Sequence, residues 1–490
     1  MPQFSSILIG NESLLIQCAE ILLARGHQIN AVVSRNPDIQ KWARSKQIGL
    51  ETPGSDLAER LGGEPCDWLL SIANLDIIPK DVLALSKQGA VNFHDGPLPR
   101  YAGLNAPVWA LLNGEKQHGV TWHLIADGVD EGDIIEQRMF DVSPSDTALS
   151  LNTKCYAAAI ESFDAVVTSL EDGAANKTPQ DLSQRSYFGL TQRPAGLGRL
   201  DFTQSAEQIA TLVRALDHGE YWNPLVCPKI AFGDAEFAVG SATVLTGTSA
   251  TPGKILDLNG TEITVATATA PVRLAGMVRV SGRSDISDLA AGDMLEILTA
   301  KDGETLNDAA KPLLRAEAFW RQKIENLAPA KAALTASDSP ATGVIEVALN
   351  LPSGATSADI LFSMAALAVR LDEKNEVDIA YFAEALSGGI DRKHTADWAP
   401  VRITLDTTIK RFAGDLENIA AKGGFLGDLW MRLPGRLAKA TPDIGFMDAA
   451  TPALINGTAM TLSVSGERAT LLADASRVSA ELAQIWADRL

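Results

Sequence analysis

Residues 90–103 read AVNFHDGPLPRYAG. The run into Asn92 and His94 has the pattern of a strand, and side chains two apart on a strand lie on the same side of its sheet. The turn DGPLP stops the strand just after His94, because Pro97 and Pro99 bring no amide hydrogen to a ladder. Asn92 and His94 are therefore placed near a strand's carboxyl end, where open α/β sheets hold their sites.

Upstream, strand patterns at residues 6–10, 28–34 and 67–73 alternate with helix patterns. In the first helix Leu14, Leu15, Cys18, Ile21 and Leu22 share a face. Strands separated by helices imply βαβ units and a mostly parallel sheet, so the fold class of this region is α/β. Gly10 alone does not make a GxGxxG fingerprint, and a plain βα turn is the better reading than a dinucleotide site. Downstream a long helix is expected over residues 146–170, followed by a polar stretch, 173–192, that reads as a linker.

Beyond residue 200 the pattern changes. A helix near residues 205–218 precedes short strand patterns at 229–232, 236–242, 254–258, 263–267 and 272–280, punctuated by Gly and Pro, which reads as a small β-barrel domain. Residues 328–343 (APAKAALTASDSPATG) read as a second linker. An α+β pattern follows, with strands at 344–351, 376–382 and 459–464 and helices at 358–371 and 476–490. The last pattern runs to the final residue, so a longer polypeptide is expected.

The 490 residues amount to about three domains at roughly 150 residues each. Lys plus Arg number 42 and Asp plus Glu 61, giving 42 − 61 = −19. That balance argues against nucleic acid and against anionic membrane surfaces, both of which need a cationic face. Cys18, Cys66, Cys155 and Cys227 form no CxxC pair, which speaks against a zinc site and for reduced thiols in a cytoplasmic protein. No apolar run reaches about 18 residues, and the start MPQFSSILIG lacks a basic n-region.

About 36 residues after His94 comes ADGVDEGDII, with Asp127, Asp130 and Asp133 around two glycines. Such a loop is most often a solvated turn, and it lacks the spacing of an EF-hand, so no metal is expected. A lone strand histidine is likewise most often a core or surface residue. The combination is more specific. An amide donor stabilises an oxyanion, an imidazole moves protons near neutral pH, and a carboxylate orients the imidazole or takes an amine's proton. With no activated Ser or Cys evident, the set suits acyl transfer by direct attack of the acceptor.

These residues closely resemble the folate-dependent formyltransferase family, including methionyl-tRNA formyltransferase. The matching signatures are N92-F-H94, L98-P-R-Y101, G119-V-T-W-H123 and D130-E-G132, and the resemblance runs from about residue 7 to about 300. It implies a Rossmann-like catalytic domain over residues 1–195 and a β-rich C-terminal domain over 196–300. Catalytic roles pass to Asn92, His94 and Asp130. The implied donor is 10-formyltetrahydrofolate, held by Ser71, Asp76, Ile77, Ile78, Leu98, Gly128 and Val129. Asp95, Arg100 and Tyr101 are the expected acceptor contacts; Asp95 is an extra carboxylate that either meets an acceptor ammonium or only forms the turn before Gly96. Two positions depart from the family: Gly96 stands where Ser is usual, and Ala102 where Arg is usual.

Residues 317–327 (EAFWRQKIENL) and 343–490 resemble a second family, the condensation domain of nonribosomal peptide synthetases, chiefly its second lobe. The HHxxxDG motif of a competent condensation domain does not occur, so a noncatalytic lobe over 343–490 is expected, joined by a helical segment and linker over 301–342. His394 is read as a surface residue. Together the resemblances imply formylation of an amino acid or of a carrier-protein-bound aminoacyl group, with an adenylation domain further along the same polypeptide as the implied partner. A silent docking module and a 10-formyltetrahydrofolate hydrolase are the alternatives; the acidity counts against a tRNA acceptor.

Overall fold

Strands of residues 3–190 are β1 (Ser5–Ile9), β2 (Gln28–Val33), β3 (Gly49–Glu51), β4 (Cys66–Ser71), β5 (Ser86–His94), β6 (Ala102–Gly103), β7 (Gln117–Leu124), β8 (Ile134–Asp141) and β9 (Tyr187–Phe188). Seven of them form one sheet in the order β3-β2-β1-β4-β5-β7-β8. The first five run parallel; β7 returns antiparallel to β5, and β8 runs antiparallel to β7. This is the parallel-dominated α/β sheet expected from the alternating pattern. The computed structural model describes residues 3–62, 65–248, 250–281, 286–332, 342–349, 354–371, 374–435, 441–465 and 468–490. They fall into two compact units, residues 1–190 with 214–219, and residues 191–213 with 220–490.

In the first unit both faces of the sheet are covered, which is why its central strands are apolar throughout. Ile7, Ile9, Val33, Leu69 and Ala90 pack on one face, and Leu8, Val32, Trp68, Leu70, Val91 and Phe93 on the other. The second face meets helices Leu14–Ala24 and Ala148–Glu171. The longer helix starts at a reciprocal cap between Thr147 and Ser150. Its buried residues recur every three or four positions (Leu151, Cys155, Ala159, Phe163, Val167, Leu170). Phe93 and Trp122, with ring centroids 5.1 Å apart, pack towards it, and Trp122 lies 5.0 Å from Phe163. Burying Phe93 on this side turns its neighbours Asn92 and His94 to the opposite face.

Residues 173–192 are not a free linker. β9 pairs with β6, and Phe188 stacks on Trp109 at 4.7 Å and on Tyr101 at 5.7 Å. The polar side chains that suggested a linker are spent on backbone groups of neighbouring loops.

The second unit holds β10 (Lys229–Phe232), β11 (Ala235–Ala238), β12 (Ser241–Val244), β13 (Ile255–Asn259), β14 (Glu262–Val265), β15 (Val272–Ala275) and β16 (Val278–Ser281). Their hydrogen bonds define two sheets, β10-β11-β16 and β12-β15-β14-β13. Two runs expected as single strands, 236–242 and 272–280, are each broken. The breaks fall at Gly240 and Gly276, so close that a Cβ on Gly240 would stand 3.1 Å from the Gly276 carbonyl oxygen. Glycine at both positions lets the two chains cross between sheets side by side.

β17 (Val344–Leu349), β18 (Glu376–Ala383), β19 (Ala399–Thr404), β20 (Ile444–Asp448), β21 (Met460–Ser465) and β22 (Arg468–Asp474) form a mixed sheet, β17-β22-β21-β20-β18-β19. Helices Ser357–Leu371 and Ile409–Lys422 contribute to its core. The helix expected over 476–490 is shorter, Ala480–Ala487, because the Ser479 side chain caps it by accepting from the Leu482 amide. Of the expected linker 328–343, residues 333–341 lie outside the described residues, while the Ala330 amide donates to the Asp378 carbonyl on β18.

A buried ionic network runs through this unit. Asp428 pairs with Lys229 at 2.8 Å and with Arg432 at 3.2 Å, and Glu317 pairs with Arg432 and with Arg193 at 3.3 Å. Arg432 and Asp428 are fully enclosed. His394, expected at the surface, is buried, with Nδ1 2.8 Å from Glu236 Oε1. The enclosed Glu236 carboxylate needs partners, and His394 and Arg199 supply them. All four cysteines are free. Among the described residues no helix is long and apolar enough to cross a membrane, and no His, Cys, Asp and Glu group of three or more is placed to hold a metal.

Candidate active site

Asn92 and His94 end β5 on the face opposite Phe93, as the strand period requires. The antiparallel register sets His123 of β7 directly opposite Asn92, and Thr121 opposite His94. The His94 ring is 5% exposed. Its Nε2–H donates to the Tyr101 carbonyl at 2.7 Å, which leaves Nδ1 to face the reaction side. There Asp130 Oδ2 lies at 3.5 Å and Asp95 Oδ1 at 4.0 Å. The structure thus brings together the three residues expected to be catalytic, and sets Asp95 beside them.

Asp130 sits in a tight loop, at φ 56°, in the left-handed region. Gly132 lets the loop close: a Cβ there would stand 1.7 Å from the Leu124 carbonyl oxygen. That is the physical content of the D-x-G pattern. The Gly103 amide donates to Asp130 Oδ2 at 2.8 Å. Burial pushes the Asp130 carboxyl up. The His123 ring beside it, the His94 charge and the Gly103 amide outweigh it, and the carboxyl rests at about 2. Burial pushes the Asp95 carboxyl up as well, against the pull of His94.

His123 was not among the expected site residues, although it closes the GVTWH run. Its Nδ1–H donates to the Leu124 carbonyl at 2.8 Å, and its Nε2 lies 3.3 Å from Asn92 Nδ2 and 3.4 Å from Asp130 Oδ1. It links the amide and the carboxylate of the triad. The available signal was its even spacing from Thr121, which puts both on the catalytic face. His118 is different: burial holds it down at about 4, and its Nε2–H donates to the Asp95 carbonyl at 2.8 Å.

The other expected residues divide. Ile77 is 89% exposed and Val129 47%, so two apolar side chains stand in solvent on the loops beside β4 and Asp130. Lys80 and Asp127 tie those loops together at 3.2 Å. Asn74 folds the first loop on itself, its Oδ1 accepting from the Asp76 amide and its Nδ2 donating to the Asp76 carbonyl. Among the described residues the amides of Leu75, Ile77 and Ile78 meet no hydrogen-bond partner. Gly128 lies next to Val129, and Ser71 and Leu98 are buried. Asp76 pairs with Arg35. Arg100 pairs with Glu115, and the Tyr101 hydroxyl donates to the same Glu115 at 2.7 Å. Tyr101 therefore serves the site through its carbonyl, not its hydroxyl.

Residues 20–167 match the formyl transferase family, and residues 195–292 match the formyl transferase C-terminal domain. The chain carries both formyltransferase domains. It is an enzyme of the transferase class. Among solved structures, the N-formyltransferase from Helicobacter canadensis, in complex with folinic acid and dTDP-3-aminofucose, is 18% identical. The similarity covers 56% of this chain and 100% of that one, with a TM-score of 0.45. HypX from Aquifex aeolicus, in complex with tetrahydrofolic acid, is 19% identical over 56% of this chain and 44% of its own, with a TM-score of 0.41. A 4-N formyltransferase from Francisella tularensis is 16% identical over 45% of this chain and 90% of its own, with a TM-score of 0.39.

Proposed function

We propose that this enzyme transfers a formyl group from 10-formyltetrahydrofolate to an amino group of an amino acid, or of an aminoacyl group on a carrier protein, in nonribosomal peptide assembly. The observation that carries the reading is the His94 ring, locked by Tyr101 so that Nδ1 faces Asp130 at 3.5 Å, with the Asn92 amide on the same face. The folate supplies an activated formyl carbonyl. Asn92 Nδ2 donates to the carbonyl oxygen as it gains charge. His94 Nδ1 moves the proton, and Asp130, ionised throughout the neutral range, stabilises the imidazolium that results. The amine's proton leaves towards this pair, and the folate nitrogen departs once protonated.

Asp95 and the net charge of −19 support a cationic or carrier-bound amine over a tRNA. The same proposal assigns the donor's pterin to the loops around Ile77 and Val129. It keeps residues 1–195 and 196–300 as the formyltransferase part, 301–342 as the connection, and 343–490 as a noncatalytic condensation-like lobe beside an adenylation domain. The test is incubation with 10-formyltetrahydrofolate, with and without amino acids, carrier-bound aminoacyl groups or charged initiator tRNA. Folate turnover only with the amino-acid or carrier acceptor is expected. Turnover without acceptor would make the protein a hydrolase, turnover only with tRNA would overturn the acceptor class, and none would leave a docking module.

A further inference from the structure

Residues 178–188 grip both supports of the triad. Thr178 exchanges both backbone hydrogen bonds with Ile134, each 2.8 Å, just past the Asp130 loop. Gln180 Nε2 donates to the Asp130 carbonyl at 2.9 Å and to the Gly132 carbonyl at 2.6 Å. Arg185 donates to the Val129 carbonyl at 3.0 Å. Further on, Ser186 Oγ accepts from the Tyr101 amide at 2.8 Å, and the Ser186 carbonyl from the Ala102 amide at 2.9 Å. Tyr101 in turn holds His94. The contacts close a ring that runs from His94 through Tyr101, Ser186 and Gln180 to Asp130 and back.

We propose that Gln180 is a positioning residue for formyl transfer: its amide clamps the carbonyls on either side of Glu131 and so fixes the Asp130 carboxylate against His94. The proposal rests on the reading of the triad given above. Asp130 adopts a left-handed backbone, which is uncommon for a residue with a side chain and persists only where its surroundings impose it. Gln180 supplies that constraint at both neighbouring carbonyls. Its own Oε1 is buried without a partner, so the side chain acts here through its donors alone. A residue held for bulk would have no reason to bury an amide in this way.

The test uses the full chain and Gln180→Met, which keeps the length and removes the donors. Rates are measured with 10-formyltetrahydrofolate and the acceptor active with wild type, in the wild-type and the Asp130→Asn backgrounds. The expected result is a fall in kcat of about tenfold, a donor KM within about twofold, and no further fall in the Asp130→Asn background, as coupled residues require. A kcat within about twofold of wild type, or an equal loss in both backgrounds, overturns the proposal. Should Gln180→Met fail to fold, Gln180→Glu, which keeps the shape and replaces the donating amide by a carboxylate, is read by the same criteria. Asp130→Asn at full activity would instead refute the triad itself, so the two failures are told apart.

Discussion

Gly96 stands two residues after His94, and the His94 ring occupies the space its side chain would take. A Cβ at residue 96 would meet His94 Nε2 at 2.8 Å, the Ala106 Cβ at 3.0 Å and the Tyr101 carbonyl oxygen at 3.1 Å. The Tyr101 oxygen is backbone and Ala106 opens a helix, so the ring is what yields. Reaching ordinary contact at 3.4 Å takes 3.4 − 2.8 = 0.6 Å. That shift pulls Nε2 off the Tyr101 carbonyl, now 2.7 Å away, and turns Nδ1 from Asp130. The lost hydrogen bond is worth about 1 kcal/mol. The larger effect is on rate, because displacing a catalytic group by about 1 Å costs up to about 10²-fold. Gly96→Ala and Gly96→Ser are therefore expected to lose about 10- to 100-fold in kcat while the donor KM stays near wild type. Initial rates of folate turnover with acceptor measure this, with circular dichroism confirming the fold. A Gly96→Ser enzyme that keeps kcat within about twofold would refute the argument that this ring position is the working one.

Asn92→Ala should lower kcat by about 10²–10³, and full kcat in that variant would remove Asn92 from the mechanism. Asp95→Ala should raise the acceptor KM about tenfold; an unchanged KM would end its role as an acceptor contact. The Asp130 carboxyl, depressed to about 2, stabilises the fold fully above its unfolded value of about 3.9, and that contribution is lost as the pH falls towards 2. The pH profile of kcat/KM should accordingly carry no limb from Asp130 above about pH 4, and a limb there that moves with Gln180→Met would contradict the depression. Arg432→Ala removes the cation shared by two enclosed carboxylates, leaving Glu317 with Arg193 alone and Asp428 with Lys229 alone, and should destabilise the second unit by about 3–5 kcal/mol. Denaturant unfolding followed by the fluorescence of Trp398 and Trp430, both buried in that unit, would report it, and a loss under about 1 kcal/mol would count against the network.

The face shared by Asn92 and His94 was legible because a strand's period fixes it without knowledge of the rest of the sheet. The Asp130 loop was legible as a pattern, while the reason for its glycine is a close approach to Leu124 that only the folded chain displays. Residues 173–192 were misread because a two-residue strand has no period to detect, and because side chains such as Gln180 and Ser186 bond to loops far away in sequence. His394 was misread for a related reason. A single histidine among polar residues looks solvated until its partner, Glu236, is found 158 positions earlier. Gly240 and Gly276 looked like tolerable interruptions of strands, and their meaning lies in the contact of one with the other.

The enclosed charges around Arg432 bear on how such a chain can be recombined. Lys229 and Arg193 find their counter-ions on Asp428 and Glu317, about 200 and 124 positions away. A chimaera that joined foreign sequence after residue 300 would leave Lys229 and Arg193 without these counter-ions, and one that supplied only residues 343–490 would carry Asp428 and Arg432 away from Lys229 and Glu317. Recombining this enzyme with foreign sequence should move residues 191–490 as one cassette, with the crossover placed before Arg193.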